Sequence, residues 1–265
     1  MSELKALLFD VDGTLADTER DGHRVAFNRA FSGAGLDWHW SVEEYGWLLQ
    51  VTGGKERMHF FIEQRNPPLP DGVDIDQMVV ELHREKTRHY TQLLGEGQIP
   101  LRPGIEALLR EAHESGMRIA IATTTTPENV TALLGNTLGP ESVDWFEVIG
   151  AGDVVPQKKP AGDIYTWVME KMRLAPEECL AFEDSANGVL AVHDAGISAM
   201  IITTNDYTRD HDFNGATTVI DKLCSDEQGA ITLLSGFDPL TNCIDLDAAR
   251  RVHAAAQGSA GKLTG

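Results

Sequence analysis

Asp10 and Asp12 stand two residues apart in the run Asp10-Val11-Asp12-Gly13-Thr14, directly after the apolar stretch 6–9. Side-chain direction along a strand has period two, so the two carboxylates leave the strand pointing roughly the same way. Gly13 permits a sharp turn at that point. Two carboxylates held this close need either a cation between them or a proton on one of them. Both outcomes suit phosphoryl chemistry. A metal beside Asp10 shields its charge from an incoming phosphate dianion, and a protonated Asp12 serves as a general acid.

Three further groups match that requirement. Thr123-Thr124-Thr125-Thr126 follows the apolar run 119–122 and supplies hydroxyls and backbone N–H groups ahead of a helix, an arrangement that holds anions. Lys158-Lys159-Pro160 brings positive charge. Glu183-Asp184-Ser185 follows the run 179–182 with a second pair of carboxylates, oxygen ligands suited to a hard cation. Taken singly, these are a Thr-rich turn, a solvated Lys pair and an acidic helix cap. At successive strand ends, in this order, they call for a phosphate-and-magnesium site.

The elements that must carry these groups are legible as five short apolar runs, 6–9, 119–122, 148–149, 179–182 and 200–202. Continuous rather than alternating hydrophobicity marks strands buried on both faces of a parallel sheet. Helical segments lie between them. Pro103 suits the first turn of a helix with Ile105, Leu108, Leu109 and Ala112 on one face, which Gly116 ends. Thr126-Pro127 and Ser185 open two more. Alternating strand and helix predicts a doubly wound α/β core, over residues 1–16 and 97–235. Residues 17–96 break the rhythm with helical spacing throughout and predict an inserted helical cap. Ser41 and Glu44 form a capping-box pattern there, and Ile75, Met78, Val79 and Leu82 share one face. Residues 236–265 read as a tail, helical over 245–256 and then a Gly-rich end prone to fray.

The 265-residue chain carries a net charge of −19. That field opposes binding to nucleic acid and to anionic membrane, both of which depend on Lys and Arg. An anionic substrate therefore needs a local cluster of positive charge. Cys179, Cys224 and Cys243 are odd in number and lack metal-type spacing, so neither a disulfide framework nor a zinc site is expected. With no membrane-length apolar stretch and no signal-peptide pattern, a reducing cytoplasm is the expected setting.

On its four motifs, Asp10-Val11-Asp12-Gly13-Thr14, Thr123, Lys159 and Glu183-Asp184, the sequence resembles the haloacid dehalogenase-like phosphatase superfamily. The resemblance implies that Asp10 is the nucleophile, forming an aspartyl-phosphate. It implies that Asp12 protonates the leaving oxygen and then activates water, and that Thr123 and Lys159 hold the transferring phosphate, with Thr124 beside them. Mg²⁺ would be bound by Asp10, the Asp12 carbonyl and Asp184, with Glu183 in support. Over residues up to about 235, the runs 18–24, 52–57 and 207–209 resemble the CbbY-type branch, similar in fold to β-phosphoglucomutase. That branch implies hydrolysis of xylulose 1,5-bisphosphate to xylulose 5-phosphate, which clears an inhibitor of Rubisco. Lys55 and Arg57 would then form a second anion subsite, with Glu19 and His23 facing sugar hydroxyls. A phosphomutase can use the same core. A signalling receiver domain would carry an adjacent acidic pair and no helical insert.

Overall fold

The computed structural model describes residues 2–51, 53–227, 229–239 and 241–260. The chain divides into two compact units, Met1–Asp17 with Pro100–Gly265, and Thr18–Ile99.

Among the described residues the first unit is built on a seven-stranded sheet, in the order β3-β2-β1-β4-β5-β6-β7. Its strands are β1 (Ala6–Phe9), β2 (Arg118–Ala122), β3 (Val148–Gly150), β4 (Cys179–Glu183), β5 (Met200–Thr203), β6 (Thr218–Ile220) and β7 (Leu233–Gly236). All neighbouring pairs run parallel except β6 and β7. The central strands are apolar on both faces because both faces are covered: every residue of β1, β4 and β5 is buried. Removing such Leu, Ile and Phe side chains from water stabilises the fold by about 1.5–3 kcal/mol each. The doubly wound α/β core expected from the five apolar runs is present.

The register decides what meets at the carboxyl end. Phe9 pairs with Ile121 on one side and with Phe182 on the other. The residues that follow, Asp10, Ala122-Thr123 and Glu183-Asp184, therefore emerge side by side. The helices that follow the strands are capped from the sequence. Thr126 Oγ1 accepts from Asn129 N ahead of α6 (Pro127–Thr137), and Ser185 Oγ from Gly188 N ahead of α8 (Ala186–Asp194). The helix α5 (Ile105–Ser115) starts two residues after Pro103, which corrects the expected first turn: Gly104 has φ +90°, a value no residue inside a helix adopts.

The second unit is helical: a π-helical turn (Thr18–His23) running into α1 (Arg24–Gly33), then α2 (Val42–Leu48), α3 (Gly54–Arg65) and α4 (Ile75–Gly95). Ser41 Oγ accepts from Glu44 N, but the Glu44 carboxylate is drawn to Arg65, 2.8 Å away, so only half of the capping box forms. Phe27, Phe31, Trp38, Trp40 and Phe61 pack into an aromatic core with ring centroids 4.7–6.0 Å apart.

Two expectations are corrected in the C-terminal segment. It belongs to the first unit: the helix expected over 245–256 is present as α9 (Leu246–Ala260), and its Ala248, Ala249 and Val252 are buried. Cys224 and Cys243 are joined in a disulfide, whereas no pairing was expected. The fold brings segments 223–225 and 242–244 together, with Ile244 N donating to Leu223 O and Ser225 N to Asn242 O, and no spacing rule foreshadows that contact. Of the end expected to fray, 257–260 continue α9 and 261–265 lie outside the described residues. No helix among the described residues is long and apolar enough to cross a membrane.

Candidate active site

Asp10 leaves β1 with its N–H donating to Phe182 O of β4, which fixes it beside Glu183. Phe9 and Phe182 stack with centroids 4.5 Å apart immediately before these two acids. Asp10, Glu183 and Asp184 are all buried, and each offers a carboxylate oxygen within 4.8 Å of the others. Lys159, in the loop before α7 (Asp163–Met172), places Nζ 2.6 Å from Asp10 Oδ1 and 2.5 Å from Glu183 Oε1. The positive charge demanded by an acidic chain is thus supplied at this one point.

The electrostatics follow from burial of three carboxylates against one ammonium. For Lys159, burial disfavours the charged form, but Asp10 and Glu183 outweigh it and hold the ammonium above its ordinary pKa. Burial also pushes the Glu183 carboxyl up, with Lys159 opposing. Asp184 is pushed well above the usual carboxylate range by burial first and then by Asp10 and Glu183, with only partial relief from an Asn205 hydrogen bond. Such a cluster is under-neutralised as it stands. Glycines make room for it: a Cβ on Gly13 would overlap the Asp184 carboxylate, and one on Gly188 would overlap that of Glu183. Clustered buried oxygens short of positive charge fit a hard divalent cation such as Mg²⁺.

The other residues expected in the site are placed as follows. Asp12 is half-buried at an isolated bridge to Ala16, and its carboxylate is not one of the clustered three. Thr123 is buried at the end of β2, its N–H donating to Gly150 O and its hydroxyl accepting from Thr125 N, 3.3 Å; Thr124 is exposed. In the helical unit, Arg57 is buried and donates to Tyr45 Oη (2.6 Å), which is 2.5 Å from Glu19 Oε2. His23 Nδ1 lies 2.9 Å from Lys86 Nζ. Lys55 is exposed on the first turn of α3; Thr52 lies outside the described residues.

Sequence reasoning missed two supporting groups. Tyr165 Oη donates to Glu183 Oε1, 2.6 Å, from a helix position that reads only as apolar. Asn205 Nδ2 donates to Asp184 Oδ2, 2.7 Å. Asn205 follows β5 just as Asp10 and Glu183-Asp184 follow or end their strands, so the same search for polar residues at strand ends finds it.

With that geometry, the family model for haloacid dehalogenase-like hydrolase matches residues 4–196. The chain belongs to that family. Relatives extend over most of its length. It is 47% identical to "Protein CbbY" of Rhodobacter capsulatus over 229 residues, 86% of this chain and 98% of that protein. The crystal structure of a CbbY variant from Rhodobacter sphaeroides in complex with xylulose 1,5-bisphosphate is similar, with a TM-score of 0.70 at 43% identity, over 83% of this chain and 94% of that one. A putative β-phosphoglucomutase from Thermotoga maritima aligns with a TM-score of 0.63 at 25% identity, over 80% and 89%.

Proposed function

We propose that this phosphatase of the haloacid dehalogenase-like family removes one phosphate from a small sugar bisphosphate, converting xylulose 1,5-bisphosphate to xylulose 5-phosphate with Mg²⁺ as cofactor. The observation that carries the proposal is the convergence of Asp10, Glu183 and Asp184 on one small volume with Lys159 bonded to two of them. Phosphoryl transfer asks a protein mainly for positioning and charge neutralisation, and this cluster supplies both.

In the proposed sequence, an Asp10 carboxylate oxygen attacks phosphorus. The bond from phosphorus to the sugar oxygen breaks, and Asp12 gives its proton to that oxygen as it leaves. Asp12, now a carboxylate, takes a proton from water, which attacks the aspartyl-phosphate; inorganic phosphate departs and Asp10 is regenerated. Lys159 and the Thr123 segment hold the equatorial phosphate oxygens, with Thr124 alongside. Mg²⁺, held by Asp10, Asp184 and the Asp12 carbonyl and supported by Glu183, would supply neutralisation of the charge on phosphate and nucleophile. In the helical unit, Arg57 and Lys55 are assigned to the second phosphate and Glu19 and His23 to the sugar hydroxyls. The 47% identity to a CbbY protein and the likeness to a CbbY bound to this bisphosphate favour the substrate choice.

A phosphate-release screen over sugar mono- and bisphosphates with Mg²⁺ tests the substrate. Xylulose 1,5-bisphosphate is expected to be turned over with a kcat/KM clearly above those for glucose phosphates and phosphoglycolate; equal or lower preference removes the assignment. In parallel, Asp10→Asn is expected to lower kcat by at least about 10⁴-fold, as loss of a covalent nucleophile does, with an unchanged circular dichroism spectrum.

A further inference from the structure

Arg102 is a buried cation that the proposed chemistry leaves unused. Its relative exposure is 9%, and four of its five guanidinium hydrogen bonds go to backbone carbonyls. Nη1 donates to Gly13 O, to Thr203 O (3.1 Å) and to Thr203 Oγ1 (3.2 Å); Nη2 donates to Thr204 O (2.5 Å) and Asp221 O (3.2 Å). The carboxylate beside it, Asp17 Oδ1, is 3.5 Å from Nε. Its own N–H donates to Leu15 O, 2.8 Å. One guanidinium therefore joins three segments: the turn after β1, the end of β5 and the end of β6.

Two of those carbonyls flank Asp184. Gly13 is packed so closely that a Cβ there would overlap both the Asp184 carboxylate and the Asn205 amide. Thr204 O belongs to the peptide that leads into Asn205, whose Nδ2 donates to Asp184 Oδ2. The gap in which the Asp184 carboxylate sits is thus bounded on two sides by backbone that Arg102 holds. A planar fork of five donors can satisfy several carbonyls at fixed angles, whereas a lysine ammonium presents a point charge with three.

We propose that Arg102 is a positioning residue for the divalent cation site, setting the Gly13 turn and Asn205 so that Asp184 is held where it can ligate. This rests on the metal reading of the Asp10, Glu183 and Asp184 cluster. Outer groups that orient metal ligands typically account for 10- to 100-fold in metal affinity.

The test is direct binding of Mn²⁺ to the full chain, read by loss of the free-ion electron paramagnetic resonance signal. Competition with Mg²⁺ provides the second affinity. Arg102→Met is expected to raise both dissociation constants by roughly 10- to 100-fold. Arg102→Lys is expected to recover only part of the loss, and guanidinium added to Arg102→Ala to restore binding. Arg118→Met, which removes a partly exposed arginine bonded to Glu147, is expected to bind Mn²⁺ as the wild type does. A folded Arg102→Met with wild-type Mn²⁺ affinity overturns the inference. If that variant does not fold, Arg102→Lys decides on the same criterion. Wild-type protein that binds no Mn²⁺ overturns the metal reading itself, and the positioning role with it.

Discussion

At the scale of the residue, Lys159 carries more than its share. Its ammonium contacts Asp10 and Glu183, both buried, and no second lysine or arginine is bonded to either among the described residues. Breaking a buried pair by deleting one partner leaves charge in low dielectric and costs about 3–5 kcal/mol. Lys159→Met should therefore lose about 3–5 kcal/mol in urea unfolding at pH 7.5 with chelator present. The sign of the pH dependence follows from Glu183. Its folded pKa is already raised by burial, and removing Lys159 takes away the largest opposing influence. A carboxyl with a raised folded pKa contributes stability below its unfolded value of about 4.3 and loses it as pH rises through the folded value. The deficit of Lys159→Met should consequently shrink as pH falls from 7.5 toward 5, and Mg²⁺ should recover part of it at pH 7.5. A deficit that is unchanged by pH would mean that the lysine stabilises by packing alone.

At the scale of the element, strand ends made the site legible and the remainder was not. Asp10, Thr123 and Glu183-Asp184 were readable because each follows a continuous apolar run of four residues, and Lys159 because it lies between the runs 148–149 and 179–182. β6 is buried but opens on Thr218, leaving only Val219 and Ile220 apolar, and all four residues of β7 are exposed, so neither stands out as a buried strand in the sequence. Arg102 acts through several hydrogen bonds set by topology, which composition and period do not encode. Burial of Arg57 was equally hidden, since a basic residue in α3 reads as solvated until Tyr45 and Glu19 are seen beside it. The π-helical turn Thr18–His23 leads to a prediction of its own. Burial, with Lys86, Arg57 and His83 nearby, holds the His23 imidazole well below its ordinary pKa. The unfolded chain then binds the proton more readily, so this residue's stability is complete above pH 6.5 and is lost as pH falls toward the folded pKa. Fluorescence of Trp38, Trp40 and Trp47, all in this unit, reads its unfolding in a background where Trp145 and Trp167 of the first unit are replaced by Phe. Below pH 6.5, His23→Gln should reduce the slope of stability against pH by up to about 1.4 kcal/mol per pH unit. An identical slope in the variant would assign the acid sensitivity to His83 or other groups.

At the scale of the whole molecule, a net charge of −19 is carried around a site that concentrates its own cation, and the C-terminal segment completes the unit that holds that site. Two separate features hold the segment. Ala248, Ala249 and Val252 of α9 are buried, and the Cys224–Cys243 disulfide closes a sequence separation of 19. A cross-link of that span stabilises by about 3 kcal/mol, chiefly by restricting the unfolded chain. Reduction, or Cys224→Ser, should therefore lower stability by about that amount without unfolding the protein at 25 °C, because the sheet and α9 remain packed. Thiol titration in denaturant should count one cysteine before reduction, the buried Cys179, and three after it. Phosphate release at 25 °C should survive reduction, since Asp10, Lys159, Glu183 and Asp184 are positioned by β1, β4 and the loop before α7. Three thiols in protein never exposed to reductant, with the same midpoint before and after treatment, would show instead that α9 holds the segment by apolar packing alone.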